Sequence, residues 1–158
     1  MGLKEELGLK IPFTVPAHEA LLSIFFTGSL IKKKAREFFS AYGVTDVQFN
    51  LMMLLMYHSG DDGGLTQADL SRMMLVNRAN ITSLVDRMEK ASLVVRTAVP
   101  GDRRYNSVRL TAHGKKVLLD VEEEYAHEVA KIMGALDDSE VRDLIGDLER
   151  IRTSLKGR

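Results

Sequence analysis

The chain has 158 residues, 45% of them hydrophobic and 28% charged, which suits one compact core and excludes a disordered polymer. It contains no cysteine, so disulfides, thiolate metal sites and cysteine-based redox sensing are excluded. Its formal charge is zero but unevenly spread: residues 65–116 carry ten Lys plus Arg against four Asp plus Glu, a net +6, while residues 1–64 carry −1 and residues 117–158 carry −5.

A basic middle third in a neutral chain can still be drawn to phosphate by its local field, although a solvated basic face fits the charge equally well. The longest apolar runs, such as Leu51 to Tyr57, fall far short of the roughly 20 residues that span a bilayer, so no membrane partner is expected. The N-terminal stretch MGLKEELGLKIPF has acids where a signal peptide has a basic and then apolar run, which predicts no export signal and a cytoplasmic location.

Pro12 and Pro16 punctuate an N-terminal arm that is expected to be extended. Leu21, Leu22, Phe25, Phe26 and Leu30 then recur at helical spacing in a helix running to about Tyr42, which Gly43 ends. Thr45 with Gln48 forms a capping-box pattern opening a second helix to about His58. The following Gly/Asp-rich loop, residues 59–64, lacks the alternating ligands of a calcium loop and reads as a plain turn.

Thr66 caps a short helix from Gln67 to about Met74, and Asn77 caps another from Arg78 to about Ala91. Two short helices joined by a tight connection make a helix-turn-helix signal. Residues 93–99 read as a strand, Pro100-Gly101-Asp102 as a turn and residues 106–110 as a returning strand. A hairpin placed directly after a helix-turn-helix is a wing. Thr111 caps a long helix, and Asp137 with Glu140 opens a last one whose apolar positions alternate by three and four. Such terminal helices suggest a dimerisation layer, the alternative being that they pack on their own subunit. The fold class expected is mainly α with a small β-hairpin wing: a winged helix-turn-helix plus N- and C-terminal dimerisation helices.

On the helix opened by Asn77, Leu84, Val85 and Met88 fall within about 60° of Ile81 and with it form the buried stripe. Asn80, Thr82, Ser83, Asp86 and Arg87 face the other way, with Arg78 on the flank. That face suits a DNA major groove: Arg pairs bidentately with guanine, Asn with adenine, and small hydroxyls reach phosphate. The wing adds Arg103 and Arg104, which can enter an adjacent minor groove, with Asp102 orienting an arginine. Double-stranded DNA is therefore the expected partner.

The run from Leu65 to Lys116 resembles the multiple antibiotic resistance regulator (MarR) family. The resemblance rests on Leu65-Thr66-Gln67, Asn77-Arg78-Ala79, Leu84-Val85-Asp86-Arg87-Met88-Glu89, Asp102-Arg103-Arg104 and Leu110-Thr111 before Gly114, in that order. It implies a single domain over residues 1–158, with a DNA-binding lobe at 45–116 and dimerisation helices at 12–42 and 117–158. It also implies a homodimer on a pseudo-palindromic operator, with Arg104 in the minor groove held by Asp102. Family members commonly repress nearby genes and release DNA when a small aromatic or phenolic effector binds, which places a pocket at His18, Phe25, Met52 and Met56. No cofactor, metal or catalytic residue is expected, since no nucleophile motif appears and the four histidines are dispersed.

Two positions depart from the family pattern. Leu75 stands where many members carry glycine, and Thr97 where a second basic residue often follows Arg96, which removes a phosphate contact. The alternative function is a winged-helix protein-interaction or dimerisation module without specific DNA binding.

Overall fold

The computed structural model describes residues 2–59, 64–99 and 102–157, with backbone alone for residue 99 and residues 102–106. Among the described residues, seven helices and three strands follow in the order α1 (Leu3–Glu6), α2 (Pro16–Ser40), α3 (Asp46–Tyr57), β1 (Leu65–Thr66), α4 (Gln67–Met74), α5 (Arg78–Lys90), β2 (Val94–Val99), β3 (Asp102–Leu110), α6 (Ala112–Met133) and α7 (Asp138–Lys156). The chain divides into two compact units, Met1–Leu118 and Leu119–Arg158.

In the first unit, the N-terminal arm is not extended throughout, because Leu3–Glu6 forms one helical turn in which Leu3 is buried. Pro16 starts α2 at a position where its missing N–H costs nothing. Gly43 takes φ 69° after that helix, as its place there predicts. The Thr45 hydroxyl accepts from the Gln48 N–H at 3.2 Å, and Gln48 Oε1 accepts from the Thr45 N–H at 2.8 Å, so the capping box closes and launches α3. Phe49, Leu51, Met52 and Leu55 of α3 are buried, and the Phe49 ring lies 4.9 Å from that of Phe39. Leu70 of α4, the stripe Ile81, Leu84, Val85 and Met88 of α5, and Leu93, Val94, Val108 and Leu118 complete the core of this unit.

The sheet has three antiparallel strands in the order β1-β3-β2, not the two-stranded hairpin expected. The added strand is the pair Leu65 and Thr66, set opposite Val108 and Ser107. Two residues are too few to show an alternating pattern, so the backbone pairing alone defines it. The returning strand is also longer than expected, starting at Asp102 and not at Asn106.

α6 leaves the sheet through a tight joint. The Thr111 hydroxyl accepts from the Gly114 N–H at 2.9 Å and lies 2.6 Å from the Ser92 carbonyl, to which it donates. Gly114 sits so close to β2 that a Cβ there would stand 1.9 Å from the Leu93 carbonyl oxygen. Glycine is required by this approach.

The second unit contains the later part of α6 and all of α7. Asp137 caps α7, accepting from the Ser139 and Glu140 N–H groups at 2.8 and 3.0 Å, while Glu140 accepts from the Asp137 N–H at 2.8 Å. No residue of α7 is buried, and Ile145, Ile151 and Leu155 are exposed. No helix among the described residues is long and apolar enough to cross a membrane.

Candidate nucleic-acid interface

α4 begins where Thr66 leaves the sheet. The Thr66 hydroxyl accepts from the Asp69 N–H at 3.1 Å and donates to Asp69 Oδ2 at 2.7 Å, and the same carboxylate oxygen accepts from the Thr66 N–H at 3.3 Å. The Thr66 hydroxyl is the main reason the Asp69 carboxyl is held below its ordinary range; partial burial opposes this, and the nearby Arg72 guanidinium assists. The negative charge also sits at the positive end of α4.

α4 ends at Leu75 with φ 54° and ψ 38°, a left-handed conformation in a residue that carries a Cβ. The position needs what glycine usually supplies, and the chain adopts the conformation without it. Ser71 holds the turn, its hydroxyl donating to the Val76 carbonyl at 2.6 Å. Asn77 then caps α5, its side-chain oxygen accepting from the Asn80 N–H at 2.9 Å.

On α5 the side chains of Arg78, Asn80, Thr82, Ser83 and Arg87 are all exposed, above a stripe in which Ile81, Val85 and Met88 have no accessible surface. The structure therefore gathers the five α5 candidates on the outer side of one helix. Thr82 has an additional engagement. Its hydroxyl lies 2.8 Å from Gln67 Oε1 and 3.0 Å from the Arg78 carbonyl, so its one proton is directed inward and its lone pairs remain as acceptors. Gln67 thus braces the start of α4 against α5, a link between distant positions that local sequence patterns do not reveal.

Arg96 is a second residue whose role local sequence patterns on α5 do not reveal. From β2 its backbone N–H donates to Glu89 Oε1 at 2.9 Å, its Nη1 donates to Glu89 Oε2, and its Nη2 donates to Asp86 Oδ1 at 2.6 Å. Asp86 therefore has a partner, although its helical angle places it on the outer side. A signal for this arrangement lies in strand alternation. Arg96 shares its side of β2 with buried Val94, and a charge on an inward face calls for a carboxylate.

In the wing, β2 and β3 pair regularly from Val94 opposite Leu110 to Ala98 opposite Asn106, after which Val99 stands opposite Asp102. One step along β2 thus corresponds to four along β3, and the backbone of Arg103 and Arg104 lies in the irregular stretch. The side chains of Asp102, Arg103 and Arg104 lie outside the described residues, as do Pro100 and Gly101 of the expected turn.

The four effector-pocket candidates are placed differently from one another. His18 and Phe25 are exposed on α2, seven residues apart and hence on one side of that helix, with the His18 ring edge-on to Phe13 at 6.0 Å. Met56 is half-buried on α3. Met52 has no exposed surface and packs in the core, where a flexible thioether commonly fills space.

The MarR family model matches residues 42–104, from before α3 to the irregular stretch of the wing. A curated relative, the uncharacterized HTH-type transcriptional regulator YsmB of Bacillus subtilis, is 28% identical over 85% of this chain and 89% of its own. Among solved structures, AbsC, a MarR family transcriptional regulator from Streptomyces coelicolor, superposes with a TM-score of 0.84 at 20% identity, covering 94% of this chain and 100% of that one. The S. aureus MepR–DNA complex superposes with a TM-score of 0.74 at 22% identity, covering 84% and 93%.

Proposed function

We propose that this chain, which matches the MarR family model over residues 42–104, is a DNA-binding transcriptional regulator of that family, a repressor that binds a pseudo-palindromic operator as a homodimer. The observation that carries the reading is α5, whose exposed Arg78, Asn80, Thr82, Ser83 and Arg87 stand above a fully packed stripe. A helix held this firmly from below presents its outer side chains at fixed positions, which base readout requires.

The roles divide by chemistry. Arg78, in the first turn, and Asn80 reach base edges bidentately: Arg78 donates twice to guanine, and Asn80 donates to adenine N7 while its amide oxygen accepts from the adenine amino group. Ser83 and Arg87 reach phosphate, and Thr82 offers an acceptor while its proton holds Gln67. Arg103 and Arg104 extend into the neighbouring minor groove from the irregular end of the wing, with Asp102 orienting Arg104. Two copies related by a dyad place two such lobes about 34 Å apart on one side of the duplex. MepR, whose solved complex holds DNA, shares the fold and so supports this docking mode.

A small aromatic or phenolic effector fits the side of α2 that bears His18 and Phe25, with Met56 as a further apolar contact. Met52 contributes only if the core around it opens. No catalytic role is assigned, and the cytoplasm, where DNA is accessible, is the place of action.

Selection of bound duplexes from a random pool, followed by titration over a range of salt, tests the reading. The expected result is a pseudo-palindromic preference, a steep fall of affinity with salt from counterion release, and at least a tenfold loss on Arg104→Ala. A flat salt dependence with no preference over random duplex would instead identify a protein-interaction module.

A further inference from the structure

We propose that Leu75, in the turn between α4 and α5, contacts DNA directly, docking its side chain on an apolar edge of the duplex, a thymine methyl or a deoxyribose. The proposal rests on the reading of α5 as the helix that enters the major groove.

Leu75 has φ 54° and ψ 38°, a conformation that penalises any residue with a Cβ and that glycine or asparagine normally occupies at a helix end. Such strain persists where the surroundings compensate for it, and for an apolar residue the usual compensation is burial. Leu75 has little. At 81% exposed, it is the most exposed of the large apolar side chains among the described residues. Nor does its side chain shape the turn. The connection is tied by the Ser71 hydroxyl to the Val76 carbonyl at 2.6 Å and by the Val76 N–H to the Ser71 carbonyl at 3.1 Å. The side chain is thus left pointing into solvent, at a cost, from a turn that other residues hold.

Position supplies the reason. Leu75 lies two residues before the Asn77 cap and three before Arg78, so it stands at the same edge of the lobe as the first turn of α5. When that turn faces a groove, the neighbouring surface of the duplex is not all phosphate. Thymine methyls and the C–H faces of deoxyribose are exposed there, and an apolar side chain gains by covering them. Met73, two residues earlier on α4, is also exposed. Arg78 would supply charge at this edge and Leu75 the dry contact.

The full chain and the duplex it selects from a random pool provide the test. Leu75→Asn relieves the backbone strain and should raise the melting temperature by about 2–4 °C. It should also weaken binding to the selected duplex about tenfold, since both half-sites lose the contact. Opposite signs for stability and affinity separate contact from folding. Leu75→Met keeps an apolar arm and should hold affinity within about twofold of the unsubstituted chain.

Replacing thymine by uracil along the duplex distinguishes the two surfaces. A position where the methyl matters to the unsubstituted chain but not to Leu75→Asn identifies a thymine methyl, and a tenfold loss without such a position identifies deoxyribose. Equal or tighter binding by Leu75→Asn overturns the proposal. If the unsubstituted chain selects no duplex, the DNA-binding reading itself has failed, and the role of Leu75 with it.

Discussion

Arg96 on β2 donates to Asp86 on α5 at 2.6 Å, and the same guanidinium holds Glu89 with its other terminal nitrogen. The Arg96 side chain is 19% exposed, so the fork works where water screens it less than on an open surface. The link joins the strand that carries the wing to α5, the helix that bears the candidate DNA-reading side chains. Their relative position is therefore set by a charge pair as well as by packing.

Arg96→Ala should lower stability by roughly 1–3 kcal/mol, because it leaves Glu89 half-buried without its partner. It should also weaken operator binding, since wing and helix no longer hold one spacing. Arg96→Lys retains the charge but not the fork, and cannot serve both carboxylates in the same geometry. Thermal melting and operator titration of the two variants check this. Full recovery of affinity by Lys would show that charge alone is what matters.

Gly114→Ala tests the joint between β2 and α6. The added methyl would stand 1.9 Å from the Leu93 carbonyl oxygen and 2.8 Å from its carbon, both of them backbone atoms that cannot swing aside. Overpacking of this kind costs about 1–3 kcal/mol, and the upper end is expected here because the strand itself has to move. At about 2–4 °C per kcal/mol for a chain of this size, the melting temperature should fall by roughly 6–12 °C.

Asp69 gives a prediction with a pH sign. Its carboxyl titrates below its ordinary value near 3.8 in the folded protein, foremost because the Thr66 hydroxyl donates to it. A folded value below the unfolded one means that the contribution is fully present above pH 3.8 and is lost as pH falls through the folded value. Asp69→Asn should thus destabilise α4 at neutral pH by roughly 0.5–1.5 kcal/mol, the usual worth of a hydrogen bond such as the one its carboxylate accepts from the Thr66 hydroxyl. Denaturation compared at pH 7 and near pH 3 checks it: the gap between the two proteins should narrow in acid. A gap that widened would assign the carboxylate no stabilising role.

How much of this was legible beforehand depends on the range of the interaction. The caps at Thr45, Thr66, Asn77 and Asp137 were readable because each is a contact between residues two or three apart. The α5 stripe was equally clear, since helical periodicity fixes which side is buried. β1 was not, because a two-residue strand has no pattern and exists only through its pairing with Val108 and Ser107. The left-handed Leu75 ran against its side-chain type, and the Arg96 link required knowing that β2 turns one side toward α5. At the candidate interface, sequence identified the residues pointing outward and missed Gln67 and Arg96, which hold the helix from beneath and beside it.

The proposed homodimer can be tested on α7. α7 leaves Ile145, Ile151 and Leu155 at 50%, 43% and 74% exposure in the single chain, a cost in water that the proposed pairing of two copies would remove. Ile151→Glu places a charge on that side of the helix without disturbing any residue buried within one chain. Two-fold symmetry presents the change twice in each dimer, so its effect on association is doubled. The dimer dissociation constant should rise by at least a hundredfold while helical content stays constant, as read by sedimentation and circular dichroism. Operator affinity should fall in step, because a monomer engages one half-site and loses the advantage of the second. A monomeric variant that still bound the full operator as tightly as the dimer would disprove the coupling between assembly and recognition.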